Sequence, residues 1–336
     1  MTKLRAPFPW FGGKSLAAPL IWRAFGNVPN YVEPFAGSLA VLLARPGGAG
    51  KVETVNDKDG AISNFWRATA AAPDEVARWA DWPVNEADLH ARHRWLVAQL
   101  PGLTERLIAD PEYYDAKIAG WWVWGISAWI GNGWCSTEER LHRCMPKIGT
   151  PGHGIHAPSR KRPRNERGLT RLHRSGAGDL GELFGELFGE LSARLRGVRV
   201  CCGGWTRVLG ASSLGVDTGP GHSHGMSPCG VLLDSPYKHE LRDKRLYRED
   251  DPGVSEAVYR WALEHGDHRG LRIALCGLEG EHDMPPSWTK VEWSRRGRGV
   301  GADARSRERI WFSPHCLPLN NGDLFARAEL ALEASP

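Results

Sequence analysis

The sequence predicts an α/β fold with a parallel sheet that is interrupted by one long insertion. Two observations support this prediction. Residues 31–70 alternate strand, turn, helix, strand and helix patterns, which is the start of a βαβ unit. The alternation then stops and resumes at residue 198. We therefore expect a sheet domain in two parts, 1–70 and 198–336, separated by an inserted region at 71–197.

The predicted strands are short apolar runs that end at turn residues. The first is Tyr31-Val32, which ends at Glu33-Pro34, and the second is Val52–Val55, which ends at Asn56-Asp57. Helices are predicted to follow them at Leu39–Ala44 and Asp59–Ala70. After the insertion, the same reasoning predicts strands at Val198–Cys202, Val231–Leu233, Leu271–Cys276 and Arg309–Ser313.

The insertion shows helical patterns and loops but no convincing strand. Residues 121–134 contain five tryptophans. They predict a packed helix followed by a glycine-rich turn, with stacking on nucleic-acid bases as the alternative. Residues 181–191 read GELFGELFGEL and predict an amphipathic helix that faces the core. Its apolar stripe consists of Leu183, Phe184, Leu187, Phe188 and Leu191.

Composition narrows the class of protein. Hydrophobic residues make up 41% and charged residues 24%, as in ordinary globular domains, which excludes a wholly disordered chain. No apolar run approaches the roughly 18 residues of a membrane helix, and the first residues lack the apolar centre of a signal peptide. Seven cysteines with no CxxC pair predict reduced thiols. We expect a cytoplasmic protein that binds no membrane and acts as a monomer.

Positive charge is concentrated in one segment. Ten of the 43 Lys and Arg residues lie between residues 140 and 174, where the single acid is Glu166. Because this segment is poor in apolar residues and rich in Gly and Pro, it predicts a surface loop. Such an excess of positive charge indicates contact with nucleic-acid phosphates, with a solvated linker as the alternative. The expected contact residues are Arg160, Lys161, Arg162, Arg164, Arg167, Arg171 and Arg174.

A glycine turn follows the first predicted strand. Gly37 would let the backbone approach a ligand, and the helix after it would present unbonded N–H groups. Asp57 comes twenty residues later, at the end of the second strand. An acid at that place accepts hydrogen bonds from ribose hydroxyls in nucleotide-binding sheets. The spacing predicts a ligand with an adenosyl ribose, and a chance glycine turn is the alternative.

A second candidate site is Asp234-Ser235-Pro236-Tyr237, directly after an apolar strand. Pro236 pushes Ser235 toward an extended conformation, so the Ser235 carbonyl and the Asp234 carboxylate can point at one place. Two acceptors beside an aromatic plane suit an exocyclic amino group on a flat base. The alternative is an ordinary turn-forming aspartate.

A third candidate is the turn before Lys14. Gly12 and Gly13 precede the lysine, and a helix is predicted from about Ser15. The turn could admit a ligand, but it lacks the spacing of a P-loop.

Taken in order, the segments PFPWFGGKS, YVEPFAGSLAV, VETVND and LLDSPY resemble the motifs of the Dam-like, D12-class N6-adenine-specific DNA methyltransferases. The resemblance covers roughly residues 5–70 and 198–315. It implies a Rossmann-like sheet, S-adenosylmethionine as methyl donor, and a flipped adenine of double-stranded DNA as acceptor. The insertion lies where that family places its target-recognition domain.

The resemblance also implies residue roles. Asp234 and the Ser235 carbonyl would accept hydrogen bonds from the adenine amino group, Pro236 would fix that backbone, and Tyr237 would stack on the base. No metal is implied. The donor would be held by Trp10, Phe11, Gly12, Gly13, Lys14, Glu33, Pro34, Phe35, Ala36, Gly37, Ser38 and Asp57.

Three residues depart from the family pattern. Leu39 replaces its second glycine and would narrow the room near the donor's amino-acid part. Gly204 stands where an acid that reads the donor's adenine is expected, and Ser235 replaces a proline. Two alternatives therefore stay open, namely a catalytically impaired DNA-binding protein that keeps the fold, and an amino-methyltransferase acting on cytosine N4. A zinc site is not expected, because the spacing of its candidates fits no usual pattern. Those candidates are Cys135, Cys144, His153 and His156.

Overall fold

The computed structural model describes residues 4–10, 12–129, 134–135, 180–216, 227–238, 251–292 and 308–319. Within them, seven strands form one sheet in the order β3-β2-β1-β4-β5-β7-β6. Pairing is parallel from β3 to β5 and antiparallel for the last two strands. The predicted α/β class is confirmed. The strands are β1 (Asn30–Glu33), β2 (Val52–Asp57), β3 (Val198–Cys202), β4 (Cys229–Leu233), β5 (Leu271–Leu278), β6 (Thr289–Glu292) and β7 (Glu308–Phe312).

All six predicted strands are present, with ends that differ by at most two residues. The sequence did not reveal β6, because only Val291 of its four residues is buried and no apolar run marks it. It lies at the edge of the sheet, where side chains need not be apolar. The helix Val254–His265 was also not predicted.

Helices cover both faces of the sheet. Along β4, Leu232 packs into one buried cluster, whereas Val231 and Leu233 pack into another. A parallel sheet buried on both faces explains why its strands read as continuous apolar runs. The helices are Ala18–Phe25, Ala40–Leu43, Gly60–Ala71, Pro73–Ala80, Glu86–Gln99, Leu103–Ala109, Ala116–Ala128, Leu180–Leu195, Ala211–Leu214 and Val254–His265, with a 3₁₀ turn at Trp205–Val208.

The described part of the insertion is helical and contains no strand, as predicted. Pro73–Ala80 packs on both Ala116–Ala128 and Leu180–Leu195, and all three of these helices pack on Gly60–Ala71. They share one hydrophobic cluster with the sheet. The division into domains at residues 70 and 197 stays a prediction.

The tryptophan-rich stretch is a packed helix. Trp122, Trp124, Trp129 and Trp134 are all buried. Trp134 lies against Gly125, where any side chain would collide with its ring. The glycine-rich turn predicted after this helix lies outside the described residues.

Trp121, which is half-buried, packs against cations. The Arg92 guanidinium lies 4.8 Å and the Lys117 ammonium 4.5 Å from its ring. Arg92 also contacts the rings of Trp82 and Trp124. Cation–π contacts thus account for the position of Trp121 without a nucleic-acid base.

The helix Leu180–Leu195 is amphipathic, as predicted, and buries Phe184, Phe188 and Leu191. None of the helices in the described part of the chain has the length and apolar character of a membrane span. The same residues contain no group of three or more potential ligands placed to hold a metal ion.

Candidate functional site

The sheet order places a cavity at the carboxyl ends of its central strands. β1 lies between β2 and β4, so the chain proceeds outward from β1 in both directions. Open α/β sheets bind ligands at the carboxyl edge beside such a switch point. One cavity lies here, between the turn after β1, the end of β2, the turn after β3 and the segment after β4.

Most predicted site residues line this cavity. Asp234 and Pro236 line it on the β4 side. Ser235, which is buried, Tyr237 and Gly12 are described but do not line it. Phe11 lies outside the described residues. The predicted donor residues that line the cavity are Trp10, Gly13, Lys14, Glu33, Pro34, Phe35, Ala36, Gly37, Ser38 and Asp57.

Asp57 braces the glycine turn. Its Oδ2 accepts a hydrogen bond of 2.9 Å from the Gly37 N–H, and its Oδ1 accepts one of 2.9 Å from the Asp59 N–H. Gly37 has a φ of +45°, and a Cβ at this position would lie 2.5 Å from the Trp10 indole nitrogen. Glycine is therefore required here. Because a carboxylate has roughly four acceptor positions, this bracing is compatible with a ribose hydroxyl as a further donor.

Leu39 stands at the second glycine of the family pattern, and its backbone conformation is one that favours glycine. It has a φ of 53° and a ψ of 26°, a left-handed conformation that glycine adopts without strain. Its side chain is fully buried in the core and does not line the cavity. The expectation that Leu39 narrows the cavity is therefore wrong, because the side chain packs into the core instead. The left-handed residue also explains why the following helix begins at Ala40 and not at Leu39.

Lys14 connects two predicted catalytic residues. Its Nζ lies 2.7 Å from Asp234 Oδ1 and donates hydrogen bonds of 3.0 Å to the Tyr237 hydroxyl and 2.7 Å to the Gly12 carbonyl. Burial is the largest single effect and acts to lower the Lys14 pKa, but the combined attraction of Asp234 and the other acidic groups around it raises that pKa well above its ordinary value. Lys14 is therefore charged and orients both Asp234 and Tyr237. The sequence placed Lys14 in the donor turn and gave no signal of this pairing.

Asp234 is a half-buried acceptor in the wall of the cavity, with 21% of its side chain exposed. Burial raises its pKa, while the Lys14 charge and a hydrogen bond from the Cys276 thiol act in the opposite direction. Asp234 therefore points into the cavity as one half of an ion pair.

Glu33 is a second buried carboxyl in the wall of the cavity. It is 4% exposed and accepts a hydrogen bond of 3.0 Å from the Tyr31 hydroxyl. Burial raises its pKa to about 8. Glu33 is therefore mostly protonated at neutral pH.

The wall beside Asp57 contains residues that the sequence did not single out. The Gly203 N–H donates a 2.9 Å hydrogen bond to the Asp57 carbonyl, which fixes the turn after β3. The Trp205 ring stacks on Phe35, with ring centroids 6.0 Å apart. A Cβ on Gly204 would meet nothing within 4 Å. The wall is thus aromatic, and it is open at Gly204, where an acid that reads the donor's adenine was expected. The rule that ligands bind at strand ends would have found Trp205, since it follows β3.

The cavity carries an excess of negative charge. Its two lysines are Lys14 and Lys58. Its negatively charged acids are Asp57, Asp59, Asp234 and Asp251, because Glu33, which also lines it, is mostly protonated at neutral pH. Such a set favours a cationic ligand and disfavours phosphate. DNA phosphates would therefore contact other surfaces, and all seven basic residues predicted for that role lie outside the described residues.

Comparison with known proteins agrees with this site. No curated protein matches the chain. A family model matches residues 10–91, which include the turn before Lys14, the Gly37 turn and Asp57. The matching model is that of the D12 class N6 adenine-specific DNA methyltransferases, which is the family that the sequence motifs resemble, and it confirms that resemblance over residues 10–91.

Proposed function

We propose that this protein transfers a methyl group from S-adenosylmethionine to the N6 amino group of adenine in DNA. The observation that carries the proposal is the continuity of one cavity. Asp57 lines it at the end of β2 and Asp234 and Pro236 line it after β4, on the two sides of β1. The matched family supplies the reaction class.

The residues of the cavity fit the donor. Its acids would attract a sulfonium cation, and the Trp10 ring, which packs directly on the Gly37 turn, would border the ligand there. Asp57 would accept from the ribose, and the Phe35 and Trp205 rings would border the base. When bound, the donor supplies an electrophilic methyl group, and its positive charge is lost on transfer. The negative charge of the cavity therefore favours the donor over its neutral-sulfur product.

Asp234 would orient the acceptor nitrogen. The adenine amino lone pair is delocalised into the ring, so it is a weak nucleophile. Hydrogen bonds from the amino group to Asp234 and to the Ser235 carbonyl would favour a pyramidal nitrogen. Asp234 would also stabilise the positive charge that develops on that nitrogen, and could accept the proton that it releases.

Lys14 would hold Asp234 and Tyr237 in place. Because its ammonium contacts both Asp234 and the Tyr237 hydroxyl, it fixes the carboxylate relative to the ring that would stack on the base. Positioning of the reacting groups in this way supplies much of the rate enhancement in group-transfer reactions. The adenine must leave the duplex to reach the site.

The three departures from the family pattern leave this arrangement intact. Leu39 packs into the core, Gly204 opens a wall beside the donor's base, and Ser235 still provides a backbone carbonyl. The geometry therefore favours an active enzyme over an impaired DNA-binding protein. Aspartate as the first motif residue favours adenine over cytosine N4.

The test combines two measurements. S-adenosylmethionine is titrated calorimetrically into the protein, and radiolabelled methyl transfer to mixed-sequence DNA is then followed. Donor binding with transfer to adenine supports the proposal. Binding without transfer would support the impaired protein, and label in N4-methylcytosine would support the cytosine alternative.

A further inference from the structure

A buried glutamate, Glu281, links the end of the predicted catalytic segment, residues 234–237, to neighbouring elements of the fold through hydrogen bonds. It is 4% exposed. Its Oε1 accepts hydrogen bonds of 2.7 Å from the Lys238 N–H and 2.6 Å from the Ser255 hydroxyl. Its Oε2 accepts one of 2.9 Å from the Leu278 N–H. The Glu281 carbonyl also accepts a hydrogen bond from Lys238 Nζ.

These bonds join three parts of the chain. Lys238 directly follows Tyr237, Leu278 ends β5, and Ser255 lies in the first turn of the helix Val254–His265. The segment 234–238 has no helix or strand of its own. It is held by Lys14 on the cavity side and by Glu281 on the far side.

Packing alone does not require a carboxylate at this position. A buried carboxylate is costly unless its oxygens are hydrogen-bonded. Glutamine would fill the same space, but it has one acceptor oxygen and one donor nitrogen. Whichever way its amide turned, the NH₂ group would face a backbone N–H, of Leu278 or of Lys238. Only the carboxylate satisfies all three donors.

We infer that Glu281 is a positioning residue for the acceptor site, which it reaches through the Lys238 backbone. Glu281 does not line the cavity, so it contacts neither donor nor base directly. It fixes the backbone immediately after Tyr237 and thereby the placement of Asp234 and Tyr237 relative to Lys14. This inference rests on the proposed function for its catalytic consequence, but its structural part stands independently.

The test compares Glu281→Gln with Glu279→Gln. Glu279 lies in the same loop but is partly exposed and pairs with Lys290 and Arg309, so its substitution is a matched control. Loss of one hydrogen bond corresponds to about a tenfold change in an opening equilibrium. We expect amide hydrogen exchange in peptides covering 234–238 to rise about tenfold in Glu281→Gln and to stay unchanged in the control.

The kinetic readout separates positioning from loss of fold. Under single turnover with saturating donor and DNA, the rate for Glu281→Gln should fall between about tenfold and a hundredfold. The donor Kd should stay at the wild-type value. If Glu281→Gln does not fold, Ser255→Ala removes one of the three donors and should raise exchange in the same peptides by a smaller factor.

Unchanged exchange in 234–238 would overturn the inference, whether or not the protein is active. A rate loss equal to the loss of folded protein, or a change confined to donor affinity, would also overturn it. Absence of methyl transfer by the wild-type protein would instead count against the proposed function.

Discussion

The left-handed conformation of Leu39 makes a quantitative prediction about stability. Leu39 is fully buried, and its φ of 53° is one that side chains other than glycine rarely adopt. Leu39→Ala removes the buried side chain but keeps the strain, whereas Leu39→Gly removes both. Leu42, three residues on, is equally buried in ordinary helical conformation and is the matched control.

The magnitudes follow from the backbone. Truncating a buried leucine to alanine costs about 2–5 kcal/mol at either position. In a helix, glycine is about 1 kcal/mol less favourable than alanine, so Leu42→Gly should be the less stable of the two Leu42 variants. A left-handed residue with a Cβ costs about 1–2 kcal/mol, which Leu39→Gly recovers. The difference in unfolding free energy between the glycine and alanine variants should therefore be about 1–2 kcal/mol more favourable to glycine at residue 39 than at residue 42.

The assay is urea unfolding of all four variants under identical conditions, with equal m values as the check that unfolding remains comparable. Donor affinity should stay unchanged in the Leu39 variants that fold, because Leu39 does not line the cavity. If the glycine and alanine variants differ by the same free energy at residues 39 and 42, the strain assigned to Leu39 does not exist.

Three further predictions concern charge. The pKa of Glu33 is raised to about 8, so the folded state holds this proton more tightly than the unfolded chain. The stability contributed is present below the unfolded pKa and lost as pH rises to about 8. Unfolding free energies measured from pH 5 to pH 9 should show that Glu33→Gln removes this part of the decline, and an identical decline in both proteins would contradict it. Asp57→Ala should weaken donor binding by about 1–3 kcal/mol through the unpaired ribose donors; unchanged calorimetric affinity would exclude that role. Replacing Arg160, Lys161, Arg162 and Arg164 with Gln should weaken duplex binding on all sequences and flatten the salt slope by about 0.9 per lost phosphate contact. An unchanged slope would identify the segment as a linker.

The sequence predicted those parts of the fold in which local pattern and burial coincide. β1 and β4 are buried along their length and β2 over its four central residues, so short runs ending at turn residues located them. β6 was not predicted, because three of its four residues are exposed and such an edge strand contains no apolar run. The amphipathic helix at 180–195 was predictable from its repeat, since a leucine and phenylalanine stripe has one physical use in a globular protein.

The sequence predicted the site residues that belong to local features at strand ends. It did not predict contacts between residues that are far apart in the sequence. Gly37 and Asp57 were found because the turn and the strand end are local features. The contact of Lys14 with Asp234 joins residues 220 positions apart, and no spacing rule connects them. The conformation of Leu39 was equally hidden, because nothing in the sequence marks a leucine as left-handed. Glu281 follows the same principle, since its three donors come from separate parts of the chain.

The most direct test of the account is nucleoside mass spectrometry of DNA incubated with S-adenosylmethionine and either the wild-type protein or Asp234→Ala. Removal of this carboxylate next to the acceptor should abolish transfer. Because it also leaves the buried Lys14 ammonium without its ion-pair partner, the free energy of unfolding should fall, so transfer is compared for protein that is folded and binds donor. We expect N6-methyldeoxyadenosine with the wild-type protein and none above background with Asp234→Ala that still binds donor in calorimetry. Near-normal methylation by a folded Asp234→Ala protein would place the acceptor site elsewhere and contradict the central claim.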